Sequence, residues 1–352
     1  MRDICRVATR RLVLKPLVSI LIPAYNAQGW IADTLRSAIA QTWERTEIIV
    51  VDDGSTDQTL AIARGFESDR VRVVTQQNQG AAAARNKCLA LSRGDYIQWL
   101  DADDLLSHDK ISRQVQALEL GISKRTLLSS GWAPFLYRYY RAEFVPTALW
   151  CDLSPVEWLL RKMEQNLHMQ TATWLVSREL SEAAGPWNTQ LLSDDDGEYF
   201  CRVLLASDGV RFVQGARVYY RKPGSGSLSH IGRSERKIVA QLKSMEMHIG
   251  YLRSLEDSDR VRAACVRYLQ NWFINFYPEY LDLVKRVEEM AKQLEGELKE
   301  PSLSWKYSWI KVLFGWKLAK RARLMLPEVR AAITRSWDFA MFRVQNRLPH
   351  PL

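Results

Sequence analysis

Carboxylates gather at three places in the chain: Asp52 and Asp53 in VVDDGSTD, Asp101, Asp103 and Asp104 in WLDADD, and Asp194, Asp195 and Asp196 in LSDDDGEYF. Neighbouring carboxylates repel one another and gain nothing from burial, so each cluster calls for a cation or for hydrogen-bond donors. An Asp-x-Asp after a buried strand suits a hard divalent cation such as Mg²⁺ or Mn²⁺, which takes one or two protein carboxylates plus substrate phosphates. Ser55 and Asp57 read as caps for the helix that follows the first cluster. Capping leaves Asp52 and Asp53 unexplained. The third cluster opens a helix, where acids complement the dipole, but three exceed what capping requires.

The elements that must position these acids are legible. VSILIPA (18–24), EIIVV (47–51), VRVVT (71–75) and YIQWL (96–100) are apolar runs of strand length. Helical patterns at 30–42, 59–66 and 81–92 alternate with them, which predicts an α/β fold with a mainly parallel sheet and helices on both faces. In such sheets ligands bind beyond the carboxyl ends of the strands. Tyr25, the Asp52 pair and the Asp101–Asp104 run all fall there. Further on, 127–131 and 173–177 read as strands, and a helix is predicted over 154–164 with Ser154 as N-cap and Pro155 at its first position. After Gly232 the pattern is helical to the end.

Composition is that of an ordinary globular protein of 352 residues, enough for two domains or one with an appendage. The charged N-terminus has no signal-peptide core and no later run has the length of a spanning helix, so the expected location is the cytoplasm. Cys5, Cys88, Cys151, Cys201 and Cys265 are scattered without a C-x-x-C pair and read as buried reduced thiols. The net charge of +9 belongs to the tail: from Pro301 to Leu352 ten Lys or Arg face two acids, and the rest is nearly neutral.

VSILIPAYN, EIIVVDDGSTD, NQGAAAARN and GDYIQWLDADD, in this order and at these spacings, resemble the nucleotide-sugar-binding half of family 2 inverting glycosyltransferases with the GT-A fold. The resemblance is strong over 18–110, looser over 124–232, and silent on the C-terminal third. The implied fold is a Rossmann-like GT-A domain plus an all-helical C-terminal region. The implied organisation is a leader (1–17), a GT-A domain (18–232) with donor half 18–110 and acceptor half 124–232, and a helical region (233–352) with a basic, Trp-rich tail.

The resemblance also distributes roles. Pro23, Ala24 and Tyr25 would flank the base, Asp52 would accept from its edge, and Asp53 would lie near the ribose. Asp101 and Ala102 would meet ribose or diphosphate, and Asp103 would hold the divalent cation, Mn²⁺ or Mg²⁺. Arg85 would face sugar or diphosphate; a surface salt bridge is its bland alternative. The family places its base in an acidic pair opening a helix, with an Arg one to two turns later. Arg202 sets Asp195 and Asp196 over that pair, with Asp196 the expected base and Asp195 the runner-up; Asp194 leaves room for a slip of one. Arg221, Lys222 and Ser225 belong to RKPGSGSLSH, which resembles the family's flexible segment over the diphosphate, and His230 reads as a surface residue.

The implied activity is metal-dependent, inverting transfer from a nucleoside diphosphate sugar, UDP-sugars being commonest, to a hydroxyl of a saccharide, lipid-linked or protein acceptor in envelope glycan synthesis. Sugar binding without turnover is an alternative, as is nucleic-acid binding by the basic tail, against which the chain offers no recognised module or basic stripe elsewhere. A nucleotidyltransferase would not account for VDDGSTD and LDADD at this spacing. In residues 304–324, Trp305, Trp309, Val312 and Trp316 share a helical stripe among lysines. Two readings stay open: peripheral contact with the inner face of the cell membrane, or packing of the tryptophans on the catalytic domain.

Overall fold

The computed structural model describes residues 15–119, 121–222, 234–301 and 303–345. Its larger sheet is built from β1 (Val18–Ala24), β2 (Thr46–Asp52), β3 (Val71–Thr75) and β4 (Tyr96–Trp99), with α1 (Ile31–Ile39), α2 (Thr59–Arg64) and α3 (Ala81–Leu91) between them. The order is β3-β2-β1-β4, all parallel, and the two-residue β7 (Val176–Ser177) closes the edge antiparallel to β4. The chain leaves β1 for β2 on one side and returns through α3 to β4 on the other. That reversal is the place where α/β sheets bind ligands.

Side chains alternate across each strand. Val18, Ile20 and Ile22 of β1 and Ile48 and Val50 of β2 enter one core, whereas Leu21, Ile49 and Val51 enter the other. A second sheet, ordered β5-β8-β6, joins β5 (Leu105–Leu106), β6 (Thr126–Phe135) and β8 (Gly209–Arg221), with α4 (Lys110–Leu118) packed on β8. The predicted helix is α5 (Pro155–Gln165), and the Ser154 hydroxyl accepts from the Glu157 N–H at 3.3 Å. The strand expected over 173–177 shrinks to β7, because Thr171–Thr173 winds into a 3₁₀ turn whose Gln170 side chain accepts from the Ala172 N–H.

Helices α6 (Arg178–Ala184) and α7 (Asp195–Ala206) precede β8, and α8 (Glu235–Leu255), α9 (Asp259–Phe276) and α10 (Leu281–Gln293) follow. Met245 and Leu252 of α8 and Tyr268 and Phe273 of α9 lie in the same core as Trp99, Trp174 and Phe200, so the helical region shares the interior of the sheet domain. The final helix, α11 (Trp305–Gln345), breaks at Gly315, whose φ of 77° only a residue without Cβ adopts freely. Cys88, Cys201 and Cys265 are buried as expected, but Cys151 is exposed; Cys5 lies outside the described residues.

Glu47 locks the strand bottoms opposite the acidic edge. Its Oε1 accepts from the Ser19 hydroxyl and the Arg93 N–H, both at 2.6 Å, and Oε2 accepts from the Arg93 guanidinium at 3.1 Å. Burial alone would raise this carboxyl, but those bonds outweigh it and hold it below its ordinary 4.5. A depressed carboxylate adds stability above that pH and loses it as the pH falls through the folded value. Glu47→Gln is therefore expected to cost about 2 kcal/mol at neutral pH. The gap in urea midpoint between the two proteins should close on acidification below pH 4.5.

Candidate functional site

The three acid clusters converge at the carboxyl edge of the large sheet, and each carboxylate there has a different environment. Asp52 is 1 % exposed; its Oδ2 accepts from the Ser55 N–H at 3.2 Å and the Thr75 hydroxyl at 3.1 Å, whereas Oδ1 is buried with no partner. Asp53 is fully engaged: Gln76 Nε2 (2.8 Å), the Gln79 N–H (3.0 Å) and the Gly80 N–H (2.8 Å) all donate to it. It shapes the loop that enters α3. Ser55 ties to the Asn26 N–H rather than capping α2, while Asp57 accepts from the Thr59 N–H. Pro23 and Ala24 end β1, and Tyr25 projects at the rim, 51 % exposed.

Arg85 joins the halves of the site. From α3 its guanidinium donates to Asp101 at 3.0 Å and to Asp195 at 2.8 Å, while stacking 4.5 Å from the Trp187 ring. Burial would lower its pKa, but Asp195 and Asp101 outweigh that and raise it. Asp195 is pushed up to about 6, chiefly by burial and then by Asp196 and Asp101, against the pull of Arg85. Ala102 uses its carbonyl to accept from the Thr34 hydroxyl at 3.0 Å, which holds the acidic loop on α1.

Asp104 is buried, accepting from the Arg221 N–H at 2.8 Å and from Gln170. Asp103 is half-buried, and no other described residue donates to its carboxylate; burial, then Asp101, push it up to about 7 against the pull of Arg221. Arg221, expected as a free cation for a diphosphate, is only 3 % exposed. It donates to the Asp103 carbonyl at 2.8 Å and lies between the rings of Trp30 (4.3 Å) and Phe135 (4.5 Å). Lys222 is exposed beside it, whereas Ser225, Gly224, Gly226, Ser227 and His230 lie outside the described residues.

The acids of α7 split. Asp194 turns to α8, Asp195 to Arg85, and the Asp196 carboxylate accepts, among the described residues, from Thr171 Oγ1 alone, at 3.4 Å. Arg202 stays away from the cleft, gripping Glu198 at 2.7 Å and the carbonyls of Ala184 and Pro186. Sequence reasoning missed Trp187, Gln170, Thr171 and His168. His168 packs at a tilt against Trp132, ring centres 5.0 Å apart, with Asp196 nearby, and burial lowers its pKa. None of the four belongs to a local pattern that marks a site.

Among the described residues no three His, Cys, Asp or Glu side chains are arranged to hold an ion. The residues nonetheless fit a divalent cation, because no other described residue donates to the half-buried Asp103 carboxylate and a substrate diphosphate would complete the oxygen shell.

A mainly parallel α/β sheet with a small second sheet and a helical C-terminal region is the GT-A-like architecture of glycosyltransferases. Residues 19–127 match the family model for glycosyl transferase family 2. Over 105 residues it is 44% identical to TuaG of Bacillus subtilis, a glycosyltransferase assigned to teichuronic acid biosynthesis, covering 29% of this chain and 42% of TuaG. Over 98 residues it is 45% identical to the Escherichia coli chondroitin synthase, covering 27% of this chain and 14% of that one. The chain therefore matches under half the length of these relatives. Among solved structures, S. aureus TarS 1–349 superposes with a TM-score of 0.60 over 88% of this chain and 91% of its own, at 16% identity. The same TarS fragment has been crystallised with UDP and with UDP-GlcNAc.

Proposed function

We propose that the protein transfers a sugar, with inversion, from a nucleoside diphosphate donor to an acceptor hydroxyl in envelope glycan synthesis. The observation that carries this reading is the Arg85 bridge, which holds the acidic loop after β4 and the acidic start of α7 in one site. TarS supports a UDP-sugar as donor, since it was crystallised with UDP and UDP-GlcNAc. TuaG supports an envelope acceptor.

In this reading the base lies against Pro23, Ala24 and Tyr25, and the orphaned Asp52 Oδ1 accepts from its edge. Asp53 serves the ribose side through the loop it builds. Asp101 and Ala102 border the diphosphate, and Lys222 with the segment carrying Ser225 neutralises it. Arg221 acts by fixing the acidic loop. Asp103 would hold Mn²⁺ or Mg²⁺, which supplies charge neutralisation for the leaving diphosphate. Asp196 takes the proton of the acceptor hydroxyl while the acceptor oxygen bonds to the anomeric carbon; the bond to the diphosphate oxygen breaks and its electrons leave with the nucleotide.

Calorimetric titration of a panel of nucleoside diphosphate sugars, with and without Mn²⁺, tests the reading. One donor should bind in a metal-dependent way and lose that binding in Asp103→Ala. Failure of every donor to bind the wild type would overturn the reading.

The tail supports a membrane-associated acceptor. Trp305, Trp309, Val312, Leu313, Phe314 and Leu318 are exposed on α11 among Lys306, Lys311 and Lys317. Trp316 instead packs on Tyr277 and donates to Glu300 at 2.5 Å. No helix of the described residues is long and apolar enough to cross a membrane, and a segment of exposed aromatic and aliphatic side chains interspersed with lysines suits peripheral contact with anionic lipid at the inner face of the cell membrane. Flotation with anionic liposomes should recover the wild type and lose the triple variant Trp305→Ala, Trp309→Ala, Phe314→Ala. Equal recovery of both would sink the assignment.

A further inference from the structure

Of the three consecutive acids that open α7, the reaction leaves Asp194 without a task. It adopts φ +56°, a left-handed conformation that strains a residue with a Cβ, so something must hold it there. The holding groups come from α8. Asp194 Oδ2 accepts from Ser244 Oγ at 2.7 Å and Gln241 Nε2 at 3.3 Å, and His248 Nδ1 stands 3.8 Å away. His248 is itself buried and tied to the Tyr268 hydroxyl of α9 at 3.1 Å. On the other side, a Cβ at Gly197 would lie 2.1 Å from Asp194 Oδ1; the glycine leaves room for the carboxylate to fold over the first turn.

This matters because successive helical residues point about 100° apart. A slip of one residue at the start of α7 would bring Asp196 to Arg85 and carry Asp195 out of reach. Arg85 alone cannot set the register, since either carboxylate would satisfy it. The buried Tyr199, Val203 and Leu204 fix the body of α7, and an anchor on the residue before it, outside the cleft, fixes its first turn.

We infer that Asp194 is a positioning residue: with Ser244 and His248 it pins the first turn of α7, so that Asp195 meets Arg85 and Asp196 stays free as the base. The inference rests on the glycosyl-transfer reading. It makes α8 part of the machinery that orients the base, although no residue of α8 touches the reacting atoms.

The test uses the full chain and the UDP-sugar on which the wild type shows turnover, followed as UDP release with water as acceptor. Asp194→Ala should lower kcat about tenfold or more, as misplaced catalytic groups do, with the donor Kd held within about twofold. Ser244→Ala should fall in the same direction by less. Asp194→Asn should keep most of the wild-type kcat, because Asn tolerates the left-handed conformation and its side-chain oxygen still accepts from Ser244. An Asp194→Asn protein as inactive as Asp196→Asn would make Asp194 the base and overturn the inference. So would wild-type kcat in Asp194→Ala, or donor affinity and thermal stability falling in step with kcat in both alanine variants. Absence of turnover in the wild type on any UDP-sugar would overturn the transfer reading, and this inference with it.

Discussion

Asp196→Asn should lower turnover about a thousandfold while donor binding stays at the wild-type level. The amide keeps the size and the contact with Thr171 Oγ1 but cannot take a proton from the acceptor. Product formation measured beside calorimetric donor affinity separates the two effects. Asp195→Asn is the control, because Asp195 is committed to Arg85. If Asp195→Asn were the dead variant and Asp196→Asn remained active, the register of α7 would be one residue from the assignment made above.

Replacing Arg85 should have the second large effect, this time on stability as well as turnover. Arg85→Met removes the only cation shared by Asp101 and Asp195 among the described residues and leaves two partly buried carboxylates facing each other. Breaking such a pair costs about 3–5 kcal/mol. The sign with pH follows from Asp195, whose carboxyl is raised from 3.8 to about 6, first by burial. Between those values the native state binds the proton that the unfolded chain releases, so the wild type itself loses stability as the pH rises through the window. The attraction to Arg85 exists only when Asp195 is ionised, and without Arg85 that carboxyl moves higher still, so the deficit of Arg85→Met should be smallest below pH 6 and grow as the pH rises above it. Urea unfolding at a series of pH values measures this; a deficit independent of pH would mean that Arg85 stabilises by packing on Trp187 instead.

The first half of the fold was legible because its strands are apolar on both faces and its helices repeat at helical spacing. A parallel sheet leaves that pattern by burying both sides of its inner strands, here β1, β2 and β4, whereas the edge strand β3 is partly exposed. β7 was overestimated because Thr173 closes a 3₁₀ turn and Leu175 bridges to Leu128 of β6, which leaves only Val176 and Ser177 to pair with β4. The site was legible where chemistry and local position coincide, as at the acidic strand ends. It was not legible where long-range contacts decide. Arg221 looks like a loop cation in sequence, and only the fold shows its guanidinium lying against the rings of Trp30 and Phe135. The neighbouring acids Asp52 and Asp53 look alike, yet one has an orphaned oxygen and the other has none to spare. The split among Asp194, Asp195 and Asp196 depends on a helix that begins some forty residues later.

The long C-terminal helix has a mechanical consequence. After the break at Gly315 it is fastened near one end by Lys320, which donates to the carbonyls of Asn275 and Tyr277 at 3.1 and 3.0 Å. Near the other end Asp338 accepts from the Tyr137 N–H and the Arg138 side chain, with Phe339 packed on the Tyr137 ring, and Tyr137 in turn touches Trp30 beside Arg221. The stretch between the two fastenings is about 27 Å of helix. A rod clamped at both ends behaves as a spacer: wherever the exposed aromatic segment comes to rest, the height of the cleft mouth above that resting place is already set.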